Sequence, residues 1–199
     1  MNDEVSFWKL NAPEMDNHPA WVYMDDVFSN EECDEIISQG RLLGLSKGEV
    51  YNKDNTSQLD REAMVSWFNP NEETFWMYKR LSIVANQLNN DYYQFSLDGF
   101  AEGMQFTEYY APSGKHGMHL DKAPKGVVRK MSLIVQLSNP DDYENGDLEV
   151  MAEFSNPSIV PRKRGTLIMF PSWTFHRVTS ITNGTRNSLV AWLTGSPFR

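Results

Sequence analysis

The chain has 199 residues, of which 40% are hydrophobic and 13% aromatic, and this composition excludes disordered, collagen-like and coiled-coil chains. A chain of this length is expected to form one domain that buries roughly 70% of the surface of its unfolded state. Its 18 Lys and Arg residues are outnumbered by 27 Asp and Glu residues, which gives a net charge of −9. Nucleic acid is therefore not expected as a partner, because its binding normally requires a basic surface.

Three features of the sequence bear on the cellular compartment. The segment 1–4 is acidic, whereas a secretory signal begins with basic residues. The apolar runs are far shorter than the roughly 20 residues that cross a bilayer, so no membrane association is expected. The single cysteine, Cys33, excludes an intramolecular disulfide and a cysteine-rich zinc site. Together these features predict a cytoplasmic protein.

Two helices are predicted in the first half of the chain. The tetrapeptide 29–32 has the form of a capping box, in which Ser29 and Glu32 each satisfy a free backbone N–H group, and it predicts a helix over about 30–43. The polar stretch 47–60 follows without periodicity and predicts a long exposed loop. A second, amphipathic helix ending near Asn90 is predicted by apolar residues at three-to-four spacing. These residues are Phe75, Met77, Leu81, Val84 and Leu88.

From Tyr92 onward, short β-forming runs alternate with turn signals. The close spacing favours a sandwich or barrel over βαβ units. We therefore predict an α+β fold with a helical part over about 1–91, its helices packed on one outer face of a jelly-roll core over about 92–199. The predicted strands are 105–110, 130–137, 146–151, 166–170 and 188–193, and the turns include 112–114, 139–142, 145–146, 156–157 and 183–184.

Three short motifs carry residues suited to chemistry. In His119-Leu120-Asp121, the two donor side chains point to the same side of an extended strand and suit a metal ion, although so short a pattern also arises by chance. His176 lies in an aromatic and apolar context, which equally fits a core histidine. Arg186 and Ser188 open the last predicted strand on a shared face; a buried Arg186 requires an anion, whereas a solvent-facing one does not.

The motifs are more informative in combination. His119, Asp121 and His176 supply two imidazoles and one carboxylate, the ligand set that leaves open positions on non-haem Fe(II). Arg186 follows His176 closely enough to reach an organic acid bound to that metal, and its planar guanidinium is suited to pairing with a carboxylate. The combination predicts a metal site that also binds an organic acid.

With these residues the sequence resembles the Fe(II)- and 2-oxoglutarate-dependent dioxygenases, in particular the prolyl 4-hydroxylase-like branch that includes the PKHD-type hydroxylases. The resemblance covers most of the chain and is specific. The segments that carry it are 21–23, 28–33, 104–109, 119–121, 129–138, 146–149, 165–172, 176–179 and 186–192.

The resemblance implies a fold, a set of cofactors and the residues that bind them. The fold would be a double-stranded β-helix, a cupin-like jelly roll. Fe(II) would be held by the catalytic residues His119, Asp121 and His176, and O2 would be the oxidant. The distal carboxylate of the cosubstrate 2-oxoglutarate would pair with Arg186, with a hydroxyl contact from Ser188. Ascorbate is a further cofactor that the resemblance suggests.

Three more positions follow from the resemblance. Tyr109 and Gln136 would border the cosubstrate, with Tyr110 as the competing tyrosine because the loop before the first ligand varies in length. Many relatives carry an aromatic residue where this chain has His116. Either His116 changes the shape of the substrate entrance, or it takes no part in the reaction.

The implied reaction is hydroxylation of a C–H bond, with release of succinate and CO2. Asp121 favours hydroxylation over the related halogenation, which needs a small residue at that position. The expected acceptor is a prolyl or other amino-acid side chain, with contacts from segments 47–60 and 122–128. Two alternatives stay open: a cupin-like metal-binding module without turnover, which Arg186 disfavours, and an oxygenase of a small molecule or nucleobase. The acceptor, the stereochemistry and the oligomeric state are not predicted.

Overall fold

Two antiparallel β-sheets pack face to face in the computed structural model, which describes residues 18–48, 61–122, 126–152 and 156–196. The larger sheet has nine strands, of which seven follow the order β1-β12-β8-β14-β6-β4-β2, while β5 and β9 also pair with β14. The smaller sheet has the order β11-β10-β13-β7-β3. The strands are β1 Val22–Met24, β2 Ser46–Lys47, β3 Arg61–Glu62, β4 Met64–Phe68, β5 Gly99–Phe100, β6 Met104–Tyr110, β7 Lys115–His119, β8 Arg129–Gln136, β9 Tyr143–Asn145, β10 Leu148–Met151, β11 Pro157–Ile159, β12 Leu167–Pro171, β13 His176–Val178 and β14 Ile181–Thr194.

Both predicted helices are present, and both ends of the capping box are formed. Helix α1 spans Asn30–Leu42, with the Ser29 side chain accepting from the Glu32 backbone N–H and the Glu32 carboxylate accepting from the Ser29 backbone N–H. Helix α2 spans Phe75–Leu88 and continues into a π-helical turn, Asn89–Tyr93. Neither helix is long and apolar enough to cross a membrane, as holds for every helix in the part of the chain that the structure describes.

The helices cover one face of the larger sheet, and strand alternation explains how. On β8, Met131, Leu133 and Val135 belong to the core that the sheet shares with α1 and α2. Ile134, between them, belongs instead to the second core, between the two sheets. Because successive side chains point to opposite faces, Ser132 and Gln136 also face the inter-sheet space. The expected double-stranded β-helix with helices on one outer face is confirmed.

Four strands precede Tyr92, where none was predicted. Three of them have only two or three residues, too few to show a period of two in sequence, and β4 has five. Their pairing partners lie far along the chain: β1 pairs with β12 and β4 pairs with β6. Long-range pairing, rather than local sequence, therefore determines these strands.

The last strand is longer than the predicted 188–193, because the chain does not reverse at the turn predicted for 183–184. Strand β14 runs through it from Ile181 to Thr194. The register against β9 shifts between Ile181 and Asn183, and Gly184 has a positive φ of 74°. A side chain at Gly184 would lie 2.0 Å from the Asp142 carbonyl oxygen. Glycine therefore serves a β-bulge that bends the strand between its partners.

Candidate metal and cosubstrate site

The structure brings His119, Asp121 and His176 together at one end of the inter-sheet space. His119 ends β7 and lies directly opposite His176, the first residue of β13, and Asp121 follows two residues after His119. One potential ligand atom from each residue lies within 4.8 Å of the others. The strand register thus joins two motifs that are distant in sequence.

Both imidazoles are oriented by backbone carbonyls. His119 Nδ1 lies 2.7 Å from the Gly117 carbonyl oxygen, and His176 Nδ1 lies 3.0 Å from that of Thr174. An Nδ1–H group that donates to a carbonyl leaves the Nε2 lone pair free for a metal ion. Burial lowers the pKa of His176 to about 4 in spite of the nearby Asp121, so its ring is neutral near pH 7.

The Asp121 carboxylate is buried and tied to the larger sheet through one oxygen. Its Oδ2 accepts hydrogen bonds from Ser132 Oγ at 2.7 Å and from Trp192 Nε1 at 2.9 Å. Its Oδ1 lies 3.5 Å from His119 Nε2. Burial opposes the charged form, but His176, His119 and the Ser132 hydroxyl outweigh it and hold the pKa of Asp121 below its ordinary value. The three side chains therefore present an ionised carboxylate and two imidazole rings, a donor set that fits Fe(II).

Arg186 is buried in the same inter-sheet space without an acidic partner among the described residues. Only 1% of the residue is exposed. Its Nη2 donates to Gln136 Oε1 at 2.8 Å, and its guanidinium carbon lies 5.5 Å from the centre of the Tyr109 ring. Its Nε has no hydrogen-bond partner among the residues that the structure describes. A buried cation with neutral neighbours is costly unless an anion binds it. The geometry therefore fits the carboxylate of an organic acid.

Ser188 and Tyr109 flank Arg186 on the same interior face. Ser188 is two residues further along β14, so the two side chains share a face of the strand. Tyr109 lies opposite Arg186 in the register of β6 and is 3% exposed, whereas Tyr110 is 42% exposed and donates to Glu108. Burial raises the pKa of Tyr109, which keeps its hydroxyl a donor. Of the two tyrosines, Tyr109 is the one that faces the site.

Gln136 connects Arg186 to the loop before β12. Its Oε1 accepts from Arg186, and its Nε2 donates to the Pro161 carbonyl oxygen at 3.0 Å. Both ends of the amide are therefore engaged within the protein. In this arrangement Gln136 orients the Arg186 guanidinium. The other N–H groups of Arg186 stay available to a bound molecule.

His116 lies beside the candidate metal ligands. Its ring stacks on that of His119, with centroids 3.6 Å apart. Burial lowers the pKa of His116 to about 2, with a smaller contribution from the neighbouring His119, so the ring is neutral. On the opposite side, β3 pairs Arg61 with His116, and Arg61 donates to Gln105 at 2.7 Å. The ring is therefore partly buried and packs against a candidate metal ligand.

The sequence analysis did not identify the residues that hold Asp121. Ser132 and Trp192 are not metal ligands, and they come from two strands of the other sheet. One signal was available: Ser132 is a polar residue between Met131 and Leu133 in an otherwise apolar run. A buried hydroxyl in such a run needs a partner.

The segments predicted to contact a substrate are only partly described. Of 47–60, the structure describes Lys47 and Gly48, and the rest lies outside the described residues. Of 122–128, it describes Lys122 and 126–128. Lys122 donates its backbone N–H to the Ser172 carbonyl oxygen at 2.8 Å, so this segment begins beside the site.

Residues 104–194 match the model of the 2OG-Fe(II) oxygenase superfamily. The matched segment contains the three candidate ligands and Arg186. Over this segment, which is slightly less than half of the chain, the protein is similar to this superfamily. This similarity, together with the cluster of His119, Asp121 and His176, implies Fe(II), 2-oxoglutarate and O2 as the participants in its chemistry.

Among curated proteins, the chain is similar to PKHD-type hydroxylases. It is 36% identical to one from Psychrobacter sp. (strain PRwf-1) over 95 residues, which cover 44% of this chain and 36% of that protein. It is 28% identical to one from Prochlorococcus marinus over 169 residues, which cover 82% of this chain and 72% of that protein. The chain thus matches little more than a third of the length of the Psychrobacter relative.

Solved oxygenase structures share the fold. A prolyl-4-hydroxylase from Pseudomonas putida superposes with a TM-score of 0.70 at 18% identity, covering 90% of this chain and 94% of that one. A viral collagen prolyl hydroxylase from Paramecium Bursaria Chlorella virus-1, in its 2OG complex, gives a TM-score of 0.65 at 21% identity, covering 89% and 97%. These similarities agree with the double-stranded β-helix described above.

Proposed function

We propose that this protein is an Fe(II)- and 2-oxoglutarate-dependent dioxygenase that hydroxylates a C–H bond of a prolyl or other amino-acid side chain and releases succinate and CO2. The observation that carries the proposal is one buried space containing both a two-histidine, one-carboxylate cluster and an arginine without an acidic partner among the described residues. A passive metal site accounts for the cluster but not for the buried arginine.

In this proposal, His119, Asp121 and His176 hold Fe(II) through the two Nε2 atoms and a carboxylate oxygen. The bound metal and 2-oxoglutarate supply the oxidation of the C–H bond. The protein orients the ligands: the Gly117 and Thr174 carbonyls fix the two rings. Three protein ligands leave positions open for the cosubstrate and the oxidant.

Arg186 binds the distal carboxylate of 2-oxoglutarate in this proposal. Its unpartnered Nε and its remaining donors supply the planar fork that carboxylates accept. Ser188 and the Tyr109 hydroxyl lie on the same face and add neutral donors. Gln136 keeps the guanidinium in place from the other side.

The choice of an amino-acid acceptor is supported by the chain's relatives. The similar curated proteins are named PKHD-type hydroxylases, and one structural neighbour is a Trichoplax adhaerens prolyl hydroxylase in complex with a hypoxia inducible factor peptide fragment. The fold also occurs in an epimerase of nogalamycin biosynthesis and in OsALKBH1, so fold alone does not choose the acceptor. The net charge of −9 disfavours polyanionic substrates.

A coupled-turnover assay tests the proposal. The full chain is incubated with Fe(II), 2-oxoglutarate, O2 and, in turn, proline-containing peptides, free amino acids and single-stranded oligonucleotides. We expect succinate formation to rise with a peptide or amino acid, and mass spectrometry to show a gain of one oxygen atom on that compound. Oxygen incorporated only into the oligonucleotide would contradict the acceptor class. No succinate under any condition, from protein shown to bind the metal, would contradict the dioxygenase.

A further inference from the structure

We infer that Trp192 is a positioning residue of the metal site: its indole N–H, with the Ser132 hydroxyl, occupies one oxygen of Asp121 and so restricts that carboxylate to binding a metal through the other. The inference rests on the proposed function, because it assumes that Asp121 is a metal ligand.

The hydrogen bonds at Asp121 are unevenly distributed. Oδ2 accepts from both Ser132 and Trp192, at 2.7 and 2.9 Å. Oδ1 accepts neither of these bonds; it lies 3.5 Å from His119 Nε2, while Oδ2 lies 3.6 Å from His176 Nε2, so the difference between the two oxygens is in their hydrogen bonds. Because a carboxylate oxygen has two lone pairs in the plane of the group, two donors saturate Oδ2. Oδ1 is therefore the oxygen left for a metal ion.

Trp192 is itself fixed on its other side by Arg129. The Arg129 guanidinium carbon lies 3.9 Å from the centre of the Trp192 ring, a close cation–π contact. Glu102 accepts from Arg129 through both oxygens, at 2.6 and 2.7 Å, and Arg129 Nη1 donates to the backbone carbonyl of Asp121 at 3.2 Å. The Glu102–Arg129 pair therefore orients both the Trp192 indole and the backbone of Asp121.

Single-oxygen binding by Asp121 matters because a carboxylate can bind a metal through one oxygen or two. With both oxygens bound, one of the positions needed by the cosubstrate and the oxidant would be filled by protein. A hydrogen-bonded Oδ2 prevents this. Trp192 thus helps to set how many positions the metal offers, although it does not contact the metal.

Mn(II) is a suitable probe for this inference, because its affinity is measurable by titration and because water-proton relaxation reports the water molecules on the bound ion. Trp192→Phe keeps an aromatic ring beside Arg129 but removes the N–H donor. We expect Mn(II) to bind 10–100-fold more weakly, the usual effect of losing a group that orients a metal ligand. We also expect the bound ion to carry fewer exchangeable waters than in the wild-type protein, as Asp121 turns to bind through both oxygens.

Trp67→Phe is the matched control, because Trp67 packs against the Trp192 ring at 6.1 Å but has no bond to Asp121. Wild-type affinity and water number are expected there. Ser132→Ala and Arg129→Met provide independent tests should Trp192→Phe fail to fold, and each is expected to shift both quantities in the same direction. Arg80→Met is the control for Arg129, since Arg80 also lies over an aromatic ring, Phe28, and pairs with a glutamate, Glu32.

Two results separate the possible failures. Wild-type protein that binds Mn(II), together with folded Trp192→Phe, Ser132→Ala and Arg129→Met variants of unchanged affinity and water number, would overturn this inference and leave the proposed function intact. Wild-type protein that binds no Mn(II) would overturn both.

Discussion

Arg186 shows how one residue can indicate a ligand. It is nearly inaccessible, yet the described groups that it contacts, Gln136 and the Tyr109 ring, are neutral. A fully buried guanidinium keeps its charge, so the missing negative charge has to come from a bound molecule. The sequence allowed two interpretations of Arg186, one buried and one facing solvent, and only its depth in the structure favours the first.

Replacing Arg186 is expected to weaken cosubstrate binding selectively. Arg186→Ala should reduce 2-oxoglutarate affinity by about 2 to 5 kcal/mol, because a buried carboxylate would lose its charged partner. Fe(II) affinity should be nearly unchanged, since the three ligands remain. Anaerobic calorimetric titrations measure both, with the outward-facing Arg177→Ala as the control. Unchanged 2-oxoglutarate affinity in Arg186→Ala would reject this assignment.

Replacing either candidate histidine ligand, in contrast, is expected to weaken metal binding. His119→Ala or His176→Ala removes one of the three proposed ligands and should strongly reduce Fe(II) affinity and turnover. His18, which lies against Tyr93 and Phe95 away from the cluster, provides a His18→Ala control with wild-type affinity. Anaerobic metal titration is the measurement. Full Fe(II) binding in both ligand variants would place the metal elsewhere.

Cys33 is expected to be inert in the folded protein. It is buried in α1, and burial raises the pKa of its thiol to about 11. At pH 8 almost none of it is the reactive thiolate, and no reagent can reach it. A thiol-specific reagent should therefore label the protein only after denaturation. Stoichiometric labelling of native protein within minutes would contradict the packing of α1.

At the scale of elements, the packing of α1 against the larger sheet depends on a glycine. Gly40 is buried near the end of the helix, and a Cβ there would lie 2.5 Å from the Phe106 ring on β6. The Ser66 hydroxyl also donates to the Gly40 carbonyl oxygen at 2.6 Å. The helix approaches the sheet closely because this position has no side chain.

Gly40→Ala sets two effects against each other. Alanine favours the helix by about 1 kcal/mol over glycine. The clash with the Phe106 ring costs roughly 1 to 3 kcal/mol, as in other overfilled cores. We expect net destabilisation, measured as the free energy of unfolding in urea. Ser38→Ala, at an exposed position of the same helix, should show only the favourable effect. A more stable Gly40→Ala variant would show that the ring moves aside freely.

Elements with a local signal were predicted well, and those with a distant partner were not. The capping box at Ser29 and Glu32 predicted where α1 begins, because the interaction spans only three residues. Strand β3 has no such signal, since it exists through its pairing with β7. The site divides in the same way. The candidate ligands, which the structure brings together, could be selected because few side chains bind iron, whereas the bonds of Ser132 and Trp192 to Asp121 depend on strand register.

At the scale of the whole molecule, the site joins the two sheets. His119 and His176 belong to the smaller sheet, and Asp121 is bonded to Ser132 and Trp192 of the larger one. Because a metal bound there would be absent from the unfolded chain, it should stabilise the fold by about 2.7 kcal/mol at a concentration 100 times its dissociation constant. We expect the melting temperature to rise with added Mn(II), and to stay constant in His176→Ala. An equal rise in that variant would point to binding elsewhere.

The pairing of His119 with His176 has a further consequence, for motion. Strand β13 has three residues and lies between β7 and β10 in the smaller sheet, so few backbone hydrogen bonds hold it. A metal ion bridging the first residue of β13 and the last of β7 would act as an additional link between them. Amide hydrogens of β7 and β13 should therefore exchange with deuterium more slowly once metal is bound. Metal loading would make the part of the smaller sheet formed by β7 and β13 more rigid before any substrate arrives.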